Sequence, residues 1–484
     1  MIFPLVVLLS PYAFGISPLR SSIEKHSESF FKFPRIRQIT QQMRSSAAIS
    51  ASALEDRGLN LAGEIRRSNS PKLTSNDLVR AQGVYPITQS NLTSSLTFGL
   101  RNAGYLNSTQ LELRSGWFSR DFQKLDSSFN TIDSFRDYSA SLSYDVIKGG
   151  YTDPLYLNNR STQQLQFSNL MSSTEQLVRS FLEYRSLLLD LYASYCKLKT
   201  SNNDLEILKR TEKEIKLSYQ LKSTTYKQYL NVVDTVNFIE RNNINYELNF
   251  KTNLQRLIFW SETDLEAWEK DFIANTNCPA NTSEFSAFSS DRIEGLPSYK
   301  ETILNLQTKA AAESAAYNYH SVKQQMRPSI RPFVEVGEED SAGYKNQKIS
   351  VGVNFNWDTP SQKTKAEVLG AFYSSEAAQI GNLSNERQFT SQMSTLKITY
   401  ERTKKLLNMT IQSLENSNSL IKLLEVQKSI GQVDSLALSN AFTQRNQILS
   451  TMFDSLVNLE KAHQEIYYAK NWKELTNKAG ISLK

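Results

Sequence analysis

Two short stretches of the chain alternate strictly between apolar and polar residues, which is the period of a β-strand. In ISVGVNFNW, residues 349–357, every second residue is apolar, and the residues between them are polar or glycine. YSASLSYDV, residues 138–146, alternates in the same way. Because successive side chains of a strand point to opposite faces, each strand has one apolar and one polar face. Such a strand fits a soluble core or a membrane barrel with lipid outside and water inside.

Each of these strands leads into a long segment with helical spacing. From 152 to 226 the chain has no glycine, and in it Leu188, Tyr192, Tyr195 and Leu198 recur at spacings of four and three. This spacing is typical of a coiled coil. A helix of this size is on the order of 100 Å long at 1.5 Å per residue, so it requires a rod-like bundle.

The same order of elements recurs in the second half of the chain. FPRIRQITQQMRSSAAISASA (33–53) resembles LPSYKETILNLQTKAAAESAA (296–316), and in both halves a strand-like segment follows. A two-fold internal duplication is the most economical interpretation. Each repeat then contains a helix, a strand pair, a long helix, a tip turn and a returning helix.

The duplication predicts the following boundaries. Residues 1–15 resemble a secretory signal peptide, with a short apolar run and a small-x-small cleavage site. The first repeat spans 22–262, with strands at 58–67 or 109–120 and at 137–147, a long helix at 152–226, a tip turn at 226–231 and a returning helix at 232–262. Residues 263–296 form an equatorial linker. The second repeat spans 297–472, with strands at 330–337 and 348–357, a long helix at 361–429, a tip turn at 430–434 and a returning helix at 435–472. Residues 473–484 form a C-terminal periplasmic tail.

Residues 68–135 are longer than a simple strand connection needs. SSLTFGLRN (94–102) and TQLELRSGW (109–117) both look strand-like. They could form an enlarged extracellular loop with its own hairpin, or 109–120 could replace 58–67 as the first barrel strand. A third alternative is that they add strands to the barrel. The sequence leaves these three alternatives open.

Composition and charge narrow the class of protein. The chain has 484 residues, 39% of them hydrophobic, which suits long solvated helices better than a thick core. The net charge of +6 is spread along the chain without a long basic run, so nucleic-acid binding is not expected. No apolar run is long enough for a transmembrane helix.

The chemistry-bearing residues do not form a catalytic or metal-binding motif. The two cysteines and three histidines are far apart in sequence, and no CxxC, HExxH, GxSxG or phosphate-binding glycine loop is present. We therefore expect neither an enzyme nor a bound cofactor.

The ordered duplication resembles the TolC-type outer-membrane efflux channel family over nearly the whole mature chain. Local matches are LSYDVIKGG (142–150), where a strand and a glycine pair open the long helix, and the tip turn and returning helix at 429–469. The resemblance implies an α + membrane β-barrel fold. Three subunits would share a twelve-stranded barrel in the outer membrane, four strands each, and their helices would form a periplasmic tunnel. It also implies a periplasmic adaptor protein and an inner-membrane pump as partners.

The tip turns depart from the family pattern of a glycine followed six residues later by an aspartate. Gly431 is present but Ala437 takes the aspartate place, whereas in the first half Gln228 replaces the glycine and Asp234 is kept. The candidates for tip charges and aperture are Asp234, Glu240, Arg241, Gly431, Asp434 and Arg445. The candidates for adaptor contact are Leu230, Val232, Val433 and Leu436.

Two further predictions concern lipid and the cysteines. The candidates for lipid-facing residues are Tyr144, Val351, Val353, Phe355 and Trp357. Cys196 lies about 30 residues before the first tip turn, and the returning helix climbs about as far before the chain reaches Cys278. At equal rise per residue, both cysteines are expected at similar heights on the rod. The same height does not mean the same side of the bundle, so a disulfide and two separate thiols both remain open.

The sequence thus favours a passive outer-membrane conduit for efflux or type I secretion, contacting outer-membrane lipid and working as a homotrimer. The alternative is a periplasmic coiled-coil scaffold or adaptor without a pore. That alternative explains the helices, but it gives no role to two amphipathic strand pairs that end in aromatic residues.

Overall fold

The computed structural model describes most of the chain beyond the N-terminus. The described residues are 23–24, 26–55, 58–70, 84–101, 104–124, 130–261, 264–276, 278, 295–341, 344–357, 360–430 and 435–481. The predicted signal peptide and the second tip turn, with Gly431, Val433 and Asp434, lie outside them. No helix in the described ranges combines the length and hydrophobicity of a membrane-spanning helix.

The chain contains six strands and seven α-helices in these ranges. The strands are β1 (Gly58–Ser70), β2 (Val84–Arg101), β3 (Thr109–Lys124), β4 (Asn130–Tyr144), β5 (Ser329–Ser341) and β6 (Tyr344–Asn356). The helices are α1 (Pro34–Glu55), α2 (Pro154–Gln220), α3 (Tyr226–Ser261), α4 (Leu265–Asn275), α5 (Ile303–Gln325), α6 (Gln362–Ser429) and α7 (Ser435–Lys478). That the two halves arose by duplication stays a prediction.

Two compact units divide the chain. One comprises residues 45–170 and 307–383 and contains the whole sheet. The other comprises 1–44, 171–306 and 384–484, and its described elements are helical. The long helices α2 and α6 each contribute to both units.

All six strands form one antiparallel sheet in chain order, from β1 to β6. The sheet has two strands more than the four barrel strands predicted per chain, because β2 and β3 lie between β1 and β4. How many of the six strands belong to a membrane barrel stays a prediction. The first strand is 58–70, and 109–120 belongs to the third strand. Period-two alternation identifies a strand but not its neighbours, which is why the sequence left this choice open.

The first tip turn lies at 221–225 instead of the predicted 226–231. Helix α2 ends in a Schellman motif: the Ser223 N–H donates to the Ser218 carbonyl (2.9 Å), and Lys222 has a φ of 58°. Helix α3 begins with a capping box. The Thr225 N–H donates to the Gln228 side-chain oxygen (3.0 Å), and the Gln228 N–H donates to the Thr225 hydroxyl (3.3 Å). The prediction missed this turn because it contains neither glycine nor proline.

Two other boundaries differ from those predicted. Helix α7 continues to Lys478, so residues 473–478 are helical and do not belong to a separate tail. The indole N–H of Trp472 donates to the Glu301 carbonyl (3.2 Å), which fixes this end of α7 beside the start of α5. The predicted linker 263–296 contains α4, whose start is capped by Asp264. Its residues 279–294 lie outside the described residues.

The four helices α2, α3, α6 and α7 pack together near their tip ends. Leu208, Ile239, Ile421 and Phe442 come one from each helix and belong to one buried apolar cluster. Each of these side chains is at most 3% exposed, so burial of apolar surface holds the four helices together here. This cluster is called the tip core below.

Candidate functional site

One face of the sheet is apolar across all six strands. A single row of directly opposed residues crosses the sheet, and its members, from β1 to β6, are Leu61, Phe98, Leu111, Leu142, Val334 and Val351. The side chains of Leu142 and Val351 are 53% and 77% exposed. An apolar face of this extent that stays exposed is typical of a surface made for lipid or for a partner.

The opposite face is polar at the same level. The next row along the strands comprises Ala62, Thr97, Glu112, Ser141, Glu335 and Ser350. At this level the sheet therefore has one apolar and one polar side, with Ala62 as the apolar member of the polar row. That is the residue pattern of a transmembrane barrel wall with a polar interior.

The predicted lipid-facing residues lie on the apolar face or at its border. Val351, Val353 and Phe355 are exposed on β6, and Trp357 follows the end of that strand and is also exposed. Tyr144 is at the end of β4 and is only half-buried, with its hydroxyl donating to the Tyr105 carbonyl (3.1 Å). Tyr144 therefore packs partly on its own chain.

A buried carboxylate joins the sheet to the turn that precedes α2. Asp145 follows β4 and is 1% exposed. The Lys148 N–H (2.8 Å) and the Ile147 N–H (3.1 Å) donate to one carboxylate oxygen, and the Ser329 hydroxyl donates to the other. Burial alone would raise the pKa of Asp145, but these hydrogen bonds and Arg331 outweigh it, so the pKa is lowered. Asp145 thus stays ionised and fixes the start of β5 beside this turn.

Helix α2 is joined to the other three tip helices by ion pairs. Lys209 pairs with Glu240 of α3 (2.6 Å), and Glu214 pairs with Lys428 of α6 (2.6 Å). A third pair links Asp204 of α2 to Arg445 of α7. The first two pairs are substantially exposed and contribute little to stability.

The Asp204–Arg445 pair is different because it is buried beside the tip core. Asp204 is 0% exposed, and the Arg445 guanidinium also lies 5.2 Å from the ring centre of Phe442. Burial raises the pKa of Asp204 to about 6, although Arg445 and Asn446 act to lower it. Arg445, a predicted aperture residue, is thus held inside its own bundle and is not presented as an open charge.

The remaining predicted tip charges are on the surface of α3. Asp234 and Arg241 are exposed, and Glu240 is partly exposed in its pair with Lys209. The described structure does not bring these three residues together with Arg445 into one cluster.

The predicted adaptor-contact residues differ in their exposure to solvent. Leu230 is 39% exposed, whereas Val232 is fully buried, so contact of Val232 with a partner is contradicted. Leu436 is half-buried. Ala437, which occupies the family's aspartate place, packs against the tip core. A carboxylate at 437 would lie against apolar side chains, which explains a small apolar residue there.

No protein-family model and no curated protein sequence matches the chain. Solved structures do match it over almost its whole length. The outer-membrane channel OprN aligns with a TM-score of 0.60 at 11% identity, over 93% of this chain and 91% of OprN. The CmeC outer membrane channel of Campylobacter jejuni aligns with a TM-score of 0.59 at 9% identity, over 96% and 90%. The outer membrane protein VceC of Vibrio cholerae aligns with a TM-score of 0.54 at 12% identity, over 96% and 97%.

The chain has the fold of these outer-membrane channels. The resemblance to TolC-type channels is thereby confirmed at the level of the fold. The matched structures are channel proteins and not enzymes. In the described part of the chain, no group of histidine, cysteine, aspartate or glutamate side chains could hold a metal ion.

Against this channel fold, one feature of the first tip was missed by sequence reasoning. Tyr219 of α2 stacks on Tyr229 of α3, with ring centres 5.8 Å apart and planes within 8°. The ring centre of Tyr226 lies 5.6 Å from that of Tyr219, and Tyr226 is 56% exposed. Leu221, in the turn between the two helices, is 80% exposed. The three tyrosines and Leu221 are called the tyrosine patch below. The signal was in the sequence, since Tyr219, Tyr226 and Tyr229 lie on either side of the turn.

The two cysteines form a disulfide in this fold. Cys196 is buried on α2, and Cys278 follows α4, with 5.4 Å between their Cα atoms. Eighty-two residues separate them, and this span includes the first tip turn. The bond therefore ties the segment after α4 to the middle of α2.

Proposed function

We propose that the protein is an outer-membrane exit duct that works in an efflux or type I secretion assembly. Three copies share one membrane barrel, and their helices form a tunnel in the periplasm. Substances pass through passively, driven by a pump in the inner membrane that connects through a periplasmic adaptor protein. The observation that carries the proposal is the six-stranded sheet with one apolar and one polar face, in a chain with an outer-membrane channel fold.

The open edges of the sheet argue for sharing the barrel between copies. Backbone N–H and C=O groups in lipid must be hydrogen-bonded, so an open edge is costly there. Strands β1 and β6 each have one neighbour in the described sheet. Strands from further copies supply the missing neighbours.

Exposed apolar residues along the long helices argue for helix packing between copies. On α6, Ile398 and Met409 are 66% and 64% exposed, and on α3, Leu248 and Phe259 are 61% and 74% exposed. A single copy leaves these side chains in water. A tunnel wall made of three copies covers them.

The tip is the part of the tunnel that opens and meets the adaptor. The buried Asp204–Arg445 pair and the tip core hold the four helices together in the closed state. The tyrosine patch offers a rigid apolar surface with polar hydroxyl ends, which suits a protein partner. A scaffold without a pore would explain the helices but would leave the apolar face of the sheet in water.

The first experiment measures the native mass and the conductance of the protein extracted from outer membranes with detergent. We expect a particle of three chains that forms ion-conducting pores in planar bilayers. A water-soluble monomer or dimer would contradict the channel and favour the scaffold.

A second experiment tests adaptor docking. We expect Leu221→Asp with Tyr226→Ala to abolish efflux while leaving the trimer and its outer-membrane level unchanged. The matched control is Arg210→Asp with Lys213→Ala, a pair of exposed polar residues on α2 outside the patch. Unchanged efflux in the patch variant would contradict docking at this tip.

A further inference from the structure

The hairpin of β2 and β3 is integrated into the sheet on both sides. Strand β2 pairs with β1 from Gly58↔Arg101 to Ser70↔Gln89, and β3 pairs with β4 from Thr109↔Tyr144 to Gln123↔Asn130. Strand β1 has no direct pairing with β4 in the described sheet. A hairpin that only decorated an external loop would leave β1 and β4 as neighbours.

We propose that β2 and β3 are wall strands of the membrane barrel, so that three copies build a barrel of eighteen strands. In this barrel β6 of each copy pairs with β1 of the next copy. The inference rests on the proposed function, since it takes the shared barrel and the three copies from there. What it adds is the strand number, the neighbours at each edge and the width of the pore.

The faces of β2 and β3 fit lipid as well as those of the other strands do. Phe98 of β2 and Leu111 of β3 lie in the same row as Leu142. Leu96 and Leu113 lie in the next row of the same face, together with Ala140. Between them on the opposite face are Thr97 and Glu112. With 18 and 16 residues, both strands exceed the 9–11 residues that a tilted strand needs to cross the hydrocarbon core. A hairpin outside the membrane would leave Leu96, Leu111 and Leu113 exposed to water.

The two edge strands match each other as partners. Both β1 and β6 have 13 residues. Because six antiparallel strands are an even number, β1 and β6 run in opposite directions, and β6 of one copy continues the antiparallel order with β1 of the next. Their apolar faces also continue, from Val351 and Val353 on β6 to Leu61 on β1.

Closure of the sheet within one chain would not give a pore. Strands β1 and β6 border the same cavity of about 940 Å³, together with the four strands between them, but they do not pair across it. Barrels of about 8 strands are already filled by their own side chains, whereas barrels of 16–18 strands leave an aqueous channel. Six strands from each of three copies make a barrel of eighteen strands, which is wide enough for an aqueous channel.

Cysteine pairs inside the chain test whether β2 and β3 separate β1 from β4. Three double variants are oxidised in intact outer membranes: Leu61→Cys with Phe98→Cys, Leu111→Cys with Leu142→Cys, and Leu61→Cys with Leu142→Cys. The native cysteines are already paired with each other. We expect the first two pairs to cross-link, because their residues are directly opposed. The third pair is expected not to cross-link, because three strand spacings amount to about 14 Å.

Cysteine pairs between chains test the edges. Val351→Cys on β6 is combined in turn with Leu61→Cys, Gly63→Cys or Ile65→Cys on β1, which share the apolar face. Ala62→Cys and Glu64→Cys are the matched controls, because they lie on the opposite face of the same strand. We expect one or two of the three apolar-face positions to give disulfide-linked dimers and trimers, and neither control to do so.

The outcomes separate this inference from the proposed function. Cross-linking of Leu61→Cys to Leu142→Cys, together with links between chains at the edges, would show a shared barrel of four strands per copy and overturn the eighteen-stranded wall alone. A Val351→Cys link to β1 of the same chain would overturn both. The absence of any link between chains would also overturn both. The expected pattern supports both and fixes the edge register.

Discussion

The two halves of the chain have long helices of nearly equal length but different numbers of strands. The long helices α2 and α6 have 67 and 68 residues. The first half contributes four strands and the second half two. The length of the long helix is therefore kept, although the first half has twice as many strands as the second.

Elementary geometry accounts for this difference. In the proposed tunnel wall, the long helices of both halves must cover the same distance, about 100 Å at 1.5 Å per residue, so an insertion in one long helix would shift its tip. Strands can be added to an antiparallel sheet two at a time, because each added hairpin brings the chain back to the edge it left. The β2–β3 hairpin thus widens the sheet without changing where β1 begins or where β4 ends.

The largest expected effect comes from placing a charge in the apolar row of each half. We expect Leu111→Arg in β3 and Val334→Arg in β5 to destabilise the folded protein in the membrane by about 2–4 kcal/mol each, because both side chains would face the hydrocarbon core. The measurement is the amount of folded protein in purified outer membranes.

Neighbouring substitutions on the polar face serve as controls for that experiment. Glu112→Arg and Glu335→Arg should leave the membrane level close to that of the wild type. If Leu111→Arg were tolerated while Val334→Arg was not, β3 would lie outside the membrane, and the halves would be alike in the wall after all.

The next effect concerns the disulfide, which joins residues of the first half only. We expect Cys196→Ala with Cys278→Ala to lower the free energy of unfolding by about 2–4 kcal/mol, because the bond closes a long loop. The bond spans 82 residues of sequence. Chemical unfolding followed by circular dichroism measures the loss.

Hydrogen exchange sharpens the same comparison. Faster exchange should appear in α2 and α4 and not in α6. Equal acceleration in both long helices, or no change in stability, would contradict a role of the bond confined to the first half.

A pH-dependent effect is expected from Asp204. Burial raises its folded pKa to about 6, above the ordinary 3.8, so the folded state binds this proton more tightly than the unfolded state. The stability that this proton contributes is therefore full below pH 4 and is lost as the pH rises through 6. Asp204→Asn has no carboxyl group to ionise, so it lacks this loss. Its free energy of unfolding relative to the wild type should therefore rise by on the order of 3 kcal/mol between pH 4 and 7.

Thermal unfolding at several pH values measures this gain. Ser201→Ala, at a buried neighbouring position without a charge, should show an offset that does not vary with pH. An Asp204→Asn offset that is equally constant would contradict the raised pKa.

The smallest expected effect lies at the first tip turn, where a capping box is used. Thr225→Ala removes the hydroxyl that accepts the Gln228 N–H and should cost about 1 kcal/mol. Hydrogen exchange at residues 221–230 measures the loosening. Thr224→Ala is the adjacent control, and equal effects of the two substitutions would contradict the cap.

Local patterns were enough to predict much of this molecule. Alternation in ISVGVNFNW predicted an exposed apolar face on β6, and that face carries Val351, Val353 and Phe355. The absence of glycine from 152 to 226, and of proline after Pro154, predicted the long helix that the structure places at Pro154–Gln220. The tip turn was misplaced by five residues because it relies on Lys222 and a capping box, which give no strong signal in composition.

The sequence by itself determined the long helices, the strand pair of the second half and which residues of a strand share a face. Those properties depend on side-chain spacing within one segment. Only the tertiary structure decided that β2 and β3 lie between β1 and β4, that Asp204 meets Arg445, and that Cys196 meets Cys278. These facts join residues far apart in the chain. Periodicity within a segment marks a face that is covered, but it does not show which other segment covers that face.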